Sequence, residues 1–159
     1  MENTELKLIL RDYSTIEELS NKELIELIKT IVDIEEVPSA LNELYKRNRE
    51  LSLKLAQNIL REGLGDIYLQ GAVIDFIFEH NKLFIFDFFQ DNLGEINYYL
   101  FACILENFTI ESEQKFAKNI TKEILDKIAN RYNSYSEIER NKIKNKFDLF
   151  MTSYKKYIN

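Results

Sequence analysis

Two pairs of carboxylates stand four residues apart near the middle of the chain, Asp75 with Glu79 and Asp87 with Asp91. On a helix such pairs share a face, and they could ligate a metal or divide general-acid and general-base roles. Metal sites built on helices usually recruit histidine at a set spacing, as in the Glu-x-x-His pattern. The only histidine, His80, adjoins Glu79 and would point about 100° away from it. It suits a helix C-terminus, where a cationic or hydrogen-bonding side chain meets free carbonyls. The single Cys103 sits in the apolar context LFACILEN, without cationic neighbours to lower its thiol pKa, and reads as a core residue. No glycine-rich phosphate loop, CxxC pair or serine-centred elbow occurs. The expectation is no catalysis, no metal and no cofactor.

The same residues make better sense as a surface. Eight carboxylates (Glu62, Asp66, Asp75, Glu79, Asp87, Asp91, Glu95 and Glu106) lie between Glu62 and Ile110, against the lone cation Lys82. The stretch Gly63–Asn107 that holds most of them is also crowded with aromatic rings. Placed at about 100° per residue, Val73, Ile74, Phe76 and Ile77 fall towards one side of a helix running from Asp66 to His80. Tyr68, Gly71, Ala72, Asp75 and Glu79 gather opposite. Asp87 and Asp91 share a polar edge of the next helix, Lys82 to Asp91. On a third, Glu95 to Asn107, Tyr99, Ala102 and Glu106 oppose Leu100, Phe101 and Ile104. The predicted partner-binding face is therefore Tyr68, Asp75, Glu79, Asp87, Asp91, Glu95, Tyr99 and Glu106, with tyrosines as amphipathic anchors. Gly71 and Ala102 would let a partner approach closely.

The elements that must position this face read as helices throughout. One proline and four glycines in 159 residues leave little turn chemistry for an all-β fold. A short helix is expected over Thr4 to Tyr13, with Leu6, Ile9 and Leu10 on one side. The capping box Ser20-Asn-Lys-Glu23 opens another, striped by Leu24, Leu27, Ile28 and Ile31 and ended by the acidic turn Asp33 to Val37. Pro38 fits the first turn of the next. From there a repeat is visible. Leu41, Leu44, Tyr45, Asn48, Leu51 and Leu55 are matched 33 residues on by Ile74, Ile77, Phe78, Asn81, Phe84 and Phe88. The linkers Leu64-Gly65-Asp66 and Leu93-Gly94-Glu95 also match, each glycine expected to end a helix at positive φ.

Repeated helical hairpins predict an all-α fold, a short α-solenoid closed by a C-terminal helical hairpin. The divisions within this single domain are N-terminal helices at 1–37, repeat-like hairpins at 38–110 and the closing hairpin at 111–159. In that hairpin Ser112 to about Tyr132 reads as one long helix, with a bend allowed near Asn119 and Phe116, Ile120, Ile124 and Ile128 along it. The capping box Ser136-Glu-Ile-Glu139 opens the last, with Ile143, Phe147, Phe150, Tyr154 and Tyr157 along it.

Charge narrows the partners. Residues 1–110 hold 10 Lys/Arg and 20 Asp/Glu, a balance of −10, and residues 111–159 hold 11 and 7, a balance of +4. The total of −6 makes nucleic acid an unsuitable direct ligand and a basic protein a suitable one. In the C-terminal part, Arg140, Lys142, Lys144, Lys146, Lys155 and Lys156 are interspersed with acids, which reads as a solvated helix surface. The start MENTELKLILRDY lacks a cationic end followed by an apolar run, and no apolar stretch nears the roughly 20 residues that span a bilayer. A cytosolic location without membrane contact is expected.

The segment LNELYKRNRELSLKLAQNILREGLGDIYLQGAVIDFIFEHNK resembles the HEAT-like repeats of small bacterial immunity proteins. The likeness covers roughly residues 38–108 and rests on repeat spacing and the LGD-x-YLQ turn. It implies an inhibitor that binds one partner, a cognate domain of a contact-dependent or other polymorphic toxin. The acidic face agrees with that implication, since an acidic inhibitor can imitate nucleic acid in the basic cleft of a nuclease toxin. A monomeric, cytosolic, non-enzymatic immunity protein is the expectation. The alternative is a helical adaptor or self-assembling scaffold whose surplus rings serve oligomerisation.

Overall fold

Segments with apolar residues at every third and fourth position favour helices that bury one side against each other. The computed structural model describes residues 13–157 and contains, among them, helices and turns but no strand. After a 3-10 turn at Tyr13–Glu18 come α1 (Asn21–Thr30), α2 (Val37–Arg47), α3 (Arg49–Arg61), α4 (Ile67–His80), α5 (Lys82–Asn92) and α6 (Tyr98–Ile110). A second 3-10 turn at Lys115–Asn119 precedes α7 (Lys122–Ser134) and α8 (Glu137–Lys155). The all-helical class read from the sequence is the class observed. The helix expected from Thr4, with Leu6, Ile9 and Leu10, lies outside the described residues.

The chain divides into two compact units, the first ending at Ile77 and the second starting at Phe78, within α4. In the first unit the Ser20 hydroxyl accepts from the Glu23 amide at 3.2 Å, and the Glu23 carboxylate accepts from the Ser20 amide at 2.8 Å. This is the predicted capping box. Helix α1 buries Leu24, Leu27 and Ile28, but Ile31 is not a fourth member of that stripe. It is the C-cap, in the left-handed region at φ 48°, which costs a non-glycine residue roughly 1–2 kcal/mol. Helices α1 and α2 run antiparallel, clasped by Arg47. Its guanidinium donates to the carbonyls of Leu19 at 2.6 Å and Glu17 at 2.7 Å, and to the buried Glu43 carboxylate at 2.7 and 2.9 Å. The buried Ser52 hydroxyl of α3 donates to Leu41 of α2 at 2.7 Å. Tyr45 meets Phe76 edge to face, with centroids 5.8 Å apart.

The repeat seen in the sequence has a local counterpart. Asn48 and Asn81 cap α3 and α5 with nearly the same backbone conformation, φ −149° and −150°. Each side chain accepts from the amide three residues on, at 3.1 and 3.2 Å. The two glycine linkers do not match in the same way. Gly65 does have positive φ, +73°, but α3 is ended two residues earlier by Gly63, at φ +60°, and Asp66 caps α4 by accepting from the Leu69 amide at 2.8 Å. Gly94 is not among the positive-φ glycines, and Glu95 caps nothing. Helix α6 starts at Tyr98 and is capped by Asn97, which accepts from Leu100 at 3.0 Å. A short Asn side chain reaches that amide where a longer one would overshoot.

The second unit is built around Phe108, fully buried, with the rings of Phe116, Phe89, Phe78 and Phe86 centred 5.1, 5.5, 5.8 and 6.2 Å away. The long helix expected from Ser112 to Tyr132 is broken. Phe116 turns inward from the 3-10 turn, Ile120 is buried at its end, and the Thr121 hydroxyl caps a new helix, α7. Burying two apolar groups so close together outweighs continuous helix geometry. Helices α7 and α8 do join as a tight pair, with the Ser136–Glu139 capping box formed and Tyr132 stacked on Phe147 at 3.8 Å. The chief partner of α8, however, is α6, and the two run parallel. Lys142 reaches Tyr98, Lys146 reaches Glu106, and Tyr154 donates to the Phe108 carbonyl.

Candidate binding face

Helix α4 is apolar almost all round. Leu69, Gly71, Val73, Ile74, Phe76, Ile77 and Phe78 are buried, which leaves one narrow strip for solvent. Tyr68, Asp75 and Glu79 occupy it, all exposed and within about 40° of one another at helical spacing. Tyr68 is 65% exposed, whereas every other ring whose burial is described, Tyr157 apart, is buried or half-buried. The predicted opening for close approach is absent: Gly71 is buried and Ala72 half-buried. The apolar arc of α4 is wider than a one-sided projection allows, so the small residue serves packing.

Asp87 and Asp91 are exposed on α5, one turn apart, and Glu95 is exposed in the turn before α6. Helix α6 repeats the α4 pattern. Leu100, Phe101, Ala102, Cys103, Ile104, Leu105 and Phe108 are all buried, so Ala102 lies in the core and not on the predicted face. Tyr99, Glu106 and Ile110 stand at the same spacing as Tyr68, Asp75 and Glu79. Their fate differs. Tyr99 is half-buried, and Glu106 is ion-paired with Lys146 of α8 at 2.6 Å. The α6 strip is therefore partly covered and its carboxylate compensated, whereas the α4 strip is exposed.

The basic C-terminal segment is the solvated surface its sequence suggests, with Lys142, Lys144, Lys155 and Lys156 all exposed, and it also carries ion pairs. Lys146 neutralises Glu106, and Lys156 with Tyr157 engages Glu113. Lys142 lies 5.3 Å over the Tyr98 ring, and Arg140 donates to the Asn133 and Tyr135 carbonyls at 3.0 Å. Lys144 pairs within α8 with Asp148. Two of these cations, Lys146 and Lys156, meet acids of preceding segments, which the opposite signs of the two parts of the chain hint at without naming pairs.

Two buried polar devices escape a sequence reading. Arg131 and Tyr135 both donate to the Ile96 carbonyl, at 2.6 and 2.7 Å, pinning the end of α7 to the turn before α6. Burial raises the Tyr135 hydroxyl pKa, an effect partly offset by Arg131. Burial, with the nearby Glu111 and Tyr157, also raises that of Tyr154. In the first unit, hydrogen bonds from Lys46 and then Arg47 hold the Glu43 carboxyl below its usual range. These groups lock helices together. Among the described residues no three His, Cys, Asp or Glu side chains are grouped to hold a metal ion, and no helix is long and apolar enough to cross a membrane. His80 ends α4 and Cys103 is buried.

No family model matches the chain, and neither a curated protein nor a solved structure shows significant similarity to it.

Proposed function

We propose that this chain is a cytosolic immunity protein, built as a short HEAT-like solenoid, that binds and neutralises a cognate bacterial toxin domain. One observation carries the reading. Helix α4, buried on every other side, exposes a single strip of Tyr68, Asp75 and Glu79. A large exposed ring on the same strip as two carboxylates is the composition of an interface anchor for a basic partner. Asp87, Asp91 and Glu95 add negative charge in the second unit, and complementary charge speeds encounter, towards ~10⁸ M⁻¹s⁻¹ at low salt. Glu106 and Tyr99 contribute less, because one is paired and the other half-buried.

The test is D75K/E79K, assayed with the product of the adjoining gene. Expected are slower association, a flatter salt dependence and lost protection of growth. Unchanged association and protection would show that this strip is not the contact. Exposed Leu83, Ile110 and Leu149 favour the second reading, a self-assembling scaffold. A monomeric mass in sedimentation, together with protection from the co-expressed neighbour, would dismiss it.

A further inference from the structure

Lys82 is the one cation in the acid-rich stretch, and the fold gives it company. It lines a cleft of about 550 Å³ together with Leu83, Glu111, Lys115, Phe116 and Lys118, all in the second unit. Its ammonium is held 2.9 Å from Glu111 and 6.0 Å from the Phe78 ring centroid, which fixes it on one wall. The other wall is the Lys115–Asn119 3-10 turn. With three residues per turn, side chains three apart eclipse, so Lys115 and Lys118 project from the same edge. Neither has an ion-pair partner among the described residues. Three ammonium groups against one carboxylate leave a local surplus of positive charge in a chain whose net charge is −6. Phe116, only 7% exposed, forms part of the apolar lining, and Leu83, 58% exposed, stands on the rim.

We propose that this cleft binds an acidic peptide segment of a partner protein, its carboxylates on Lys115 and Lys118 and an apolar side chain against Leu83. Charge complementarity selects the sign of the occupant, and the shape selects its kind. Small-molecule sites bury roughly 70–90% of their ligand. Here Leu83, Lys115 and Lys118 are all exposed, so the cleft opens to solvent and suits a segment that lies across the surface better than an enclosed small molecule. There is no arginine in it to grip a phosphate with two parallel hydrogen bonds. The site does not depend on the α4 strip, and it would serve a partner whether or not that strip binds a toxin.

The experiment is fluorescence anisotropy with the full chain and a labelled heptapeptide of alternating glutamate and leucine. Inorganic phosphate and a ten-residue oligothymidylate serve as competing probes. Binding tighter than about 1 mM is expected, weakened about tenfold by K115E/K118E and several-fold by L83A, with circular dichroism unchanged. D75K/E79K should leave it intact, which separates this site from the toxin reading. Peptide binding that is absent, or indifferent to K115E/K118E, would overturn the proposal. Lysine-dependent binding of phosphate or the oligonucleotide that exceeded peptide binding would also overturn it, in favour of a phosphate-bearing ligand.

Discussion

Replacing Phe108 with alanine is the sharpest probe of how this chain holds together. The side chain is fully buried, and four rings surround it at centroid distances of 5.1 to 6.2 Å. Truncating a core phenylalanine to alanine costs about 3–5 kcal/mol from lost transfer energy and the cavity left behind. Each aromatic pair adds about 0.5–1.5 kcal/mol beyond area burial. Four simultaneous pairs place Phe108→Ala at the upper end, roughly 4–5 kcal/mol. Phe108→Leu keeps most of the volume and should cost roughly 1–2 kcal/mol. The chain has no tryptophan, so urea unfolding is best followed by far-ultraviolet circular dichroism. With an m-value of about 2 kcal/mol/M, the alanine variant should lower the midpoint by about 2 M. A loss below about 2 kcal/mol, or equal losses for alanine and leucine, would show that the ring cluster is not the core of the second unit.

Two pH responses follow from the buried polar groups. Glu43 has its pKa lowered in the folded state by Lys46 and Arg47, so the stability it contributes is present above the ordinary glutamate range. That stability should be lost as pH falls from about 4.3 through the lowered value, and Glu43→Gln should flatten this part of an acid-denaturation profile. A profile unchanged by the substitution would refute the clasp. Tyr154 behaves oppositely: its raised pKa favours the neutral form, so its contribution is complete below about 10 and lost at higher pH. Tyr154→Phe should cost about 0.5–1.5 kcal/mol at neutral pH, where the donor to Phe108 is lost, and should soften alkaline unfolding. An ultraviolet titration in which every tyrosine ionised near pH 10 without unfolding would contradict it.

Much of the local structure was legible because it depends on residues a few positions apart. Both capping boxes and the Pro38 start are short-range hydrogen-bond and steric devices, and so are the caps that the structure finds at the matched positions Asn48 and Asn81. They form where the sequence places them. Gly65 and Gly94 show the limit, since the same dipeptide pattern gave a left-handed turn once and not twice. Asn97 supplied a better cap than Glu95, and the helix began three residues later than the repeat implied. At Ile120 a local device, the Thr121 cap, starts a new helix but does not by itself require the break. Burial of Phe116 and Ile120 in the second unit does.

The candidate face divides in the same way. Composition and periodicity alone determine that α4 and α6 each carry a tyrosine and a carboxylate on the strip opposite their cores, because helical spacing fixes which side chains share a direction. They cannot determine how wide the core is, so periodicity points Gly71 and Ala102 outward although both are buried. Nor can they say which charges meet. Glu106 and Lys146 are forty residues apart in sequence and 2.6 Å apart in space only because α8 folds back parallel to α6. That long-range packing, which buries Ile143, Phe150 and Tyr154, is what pairs Glu106.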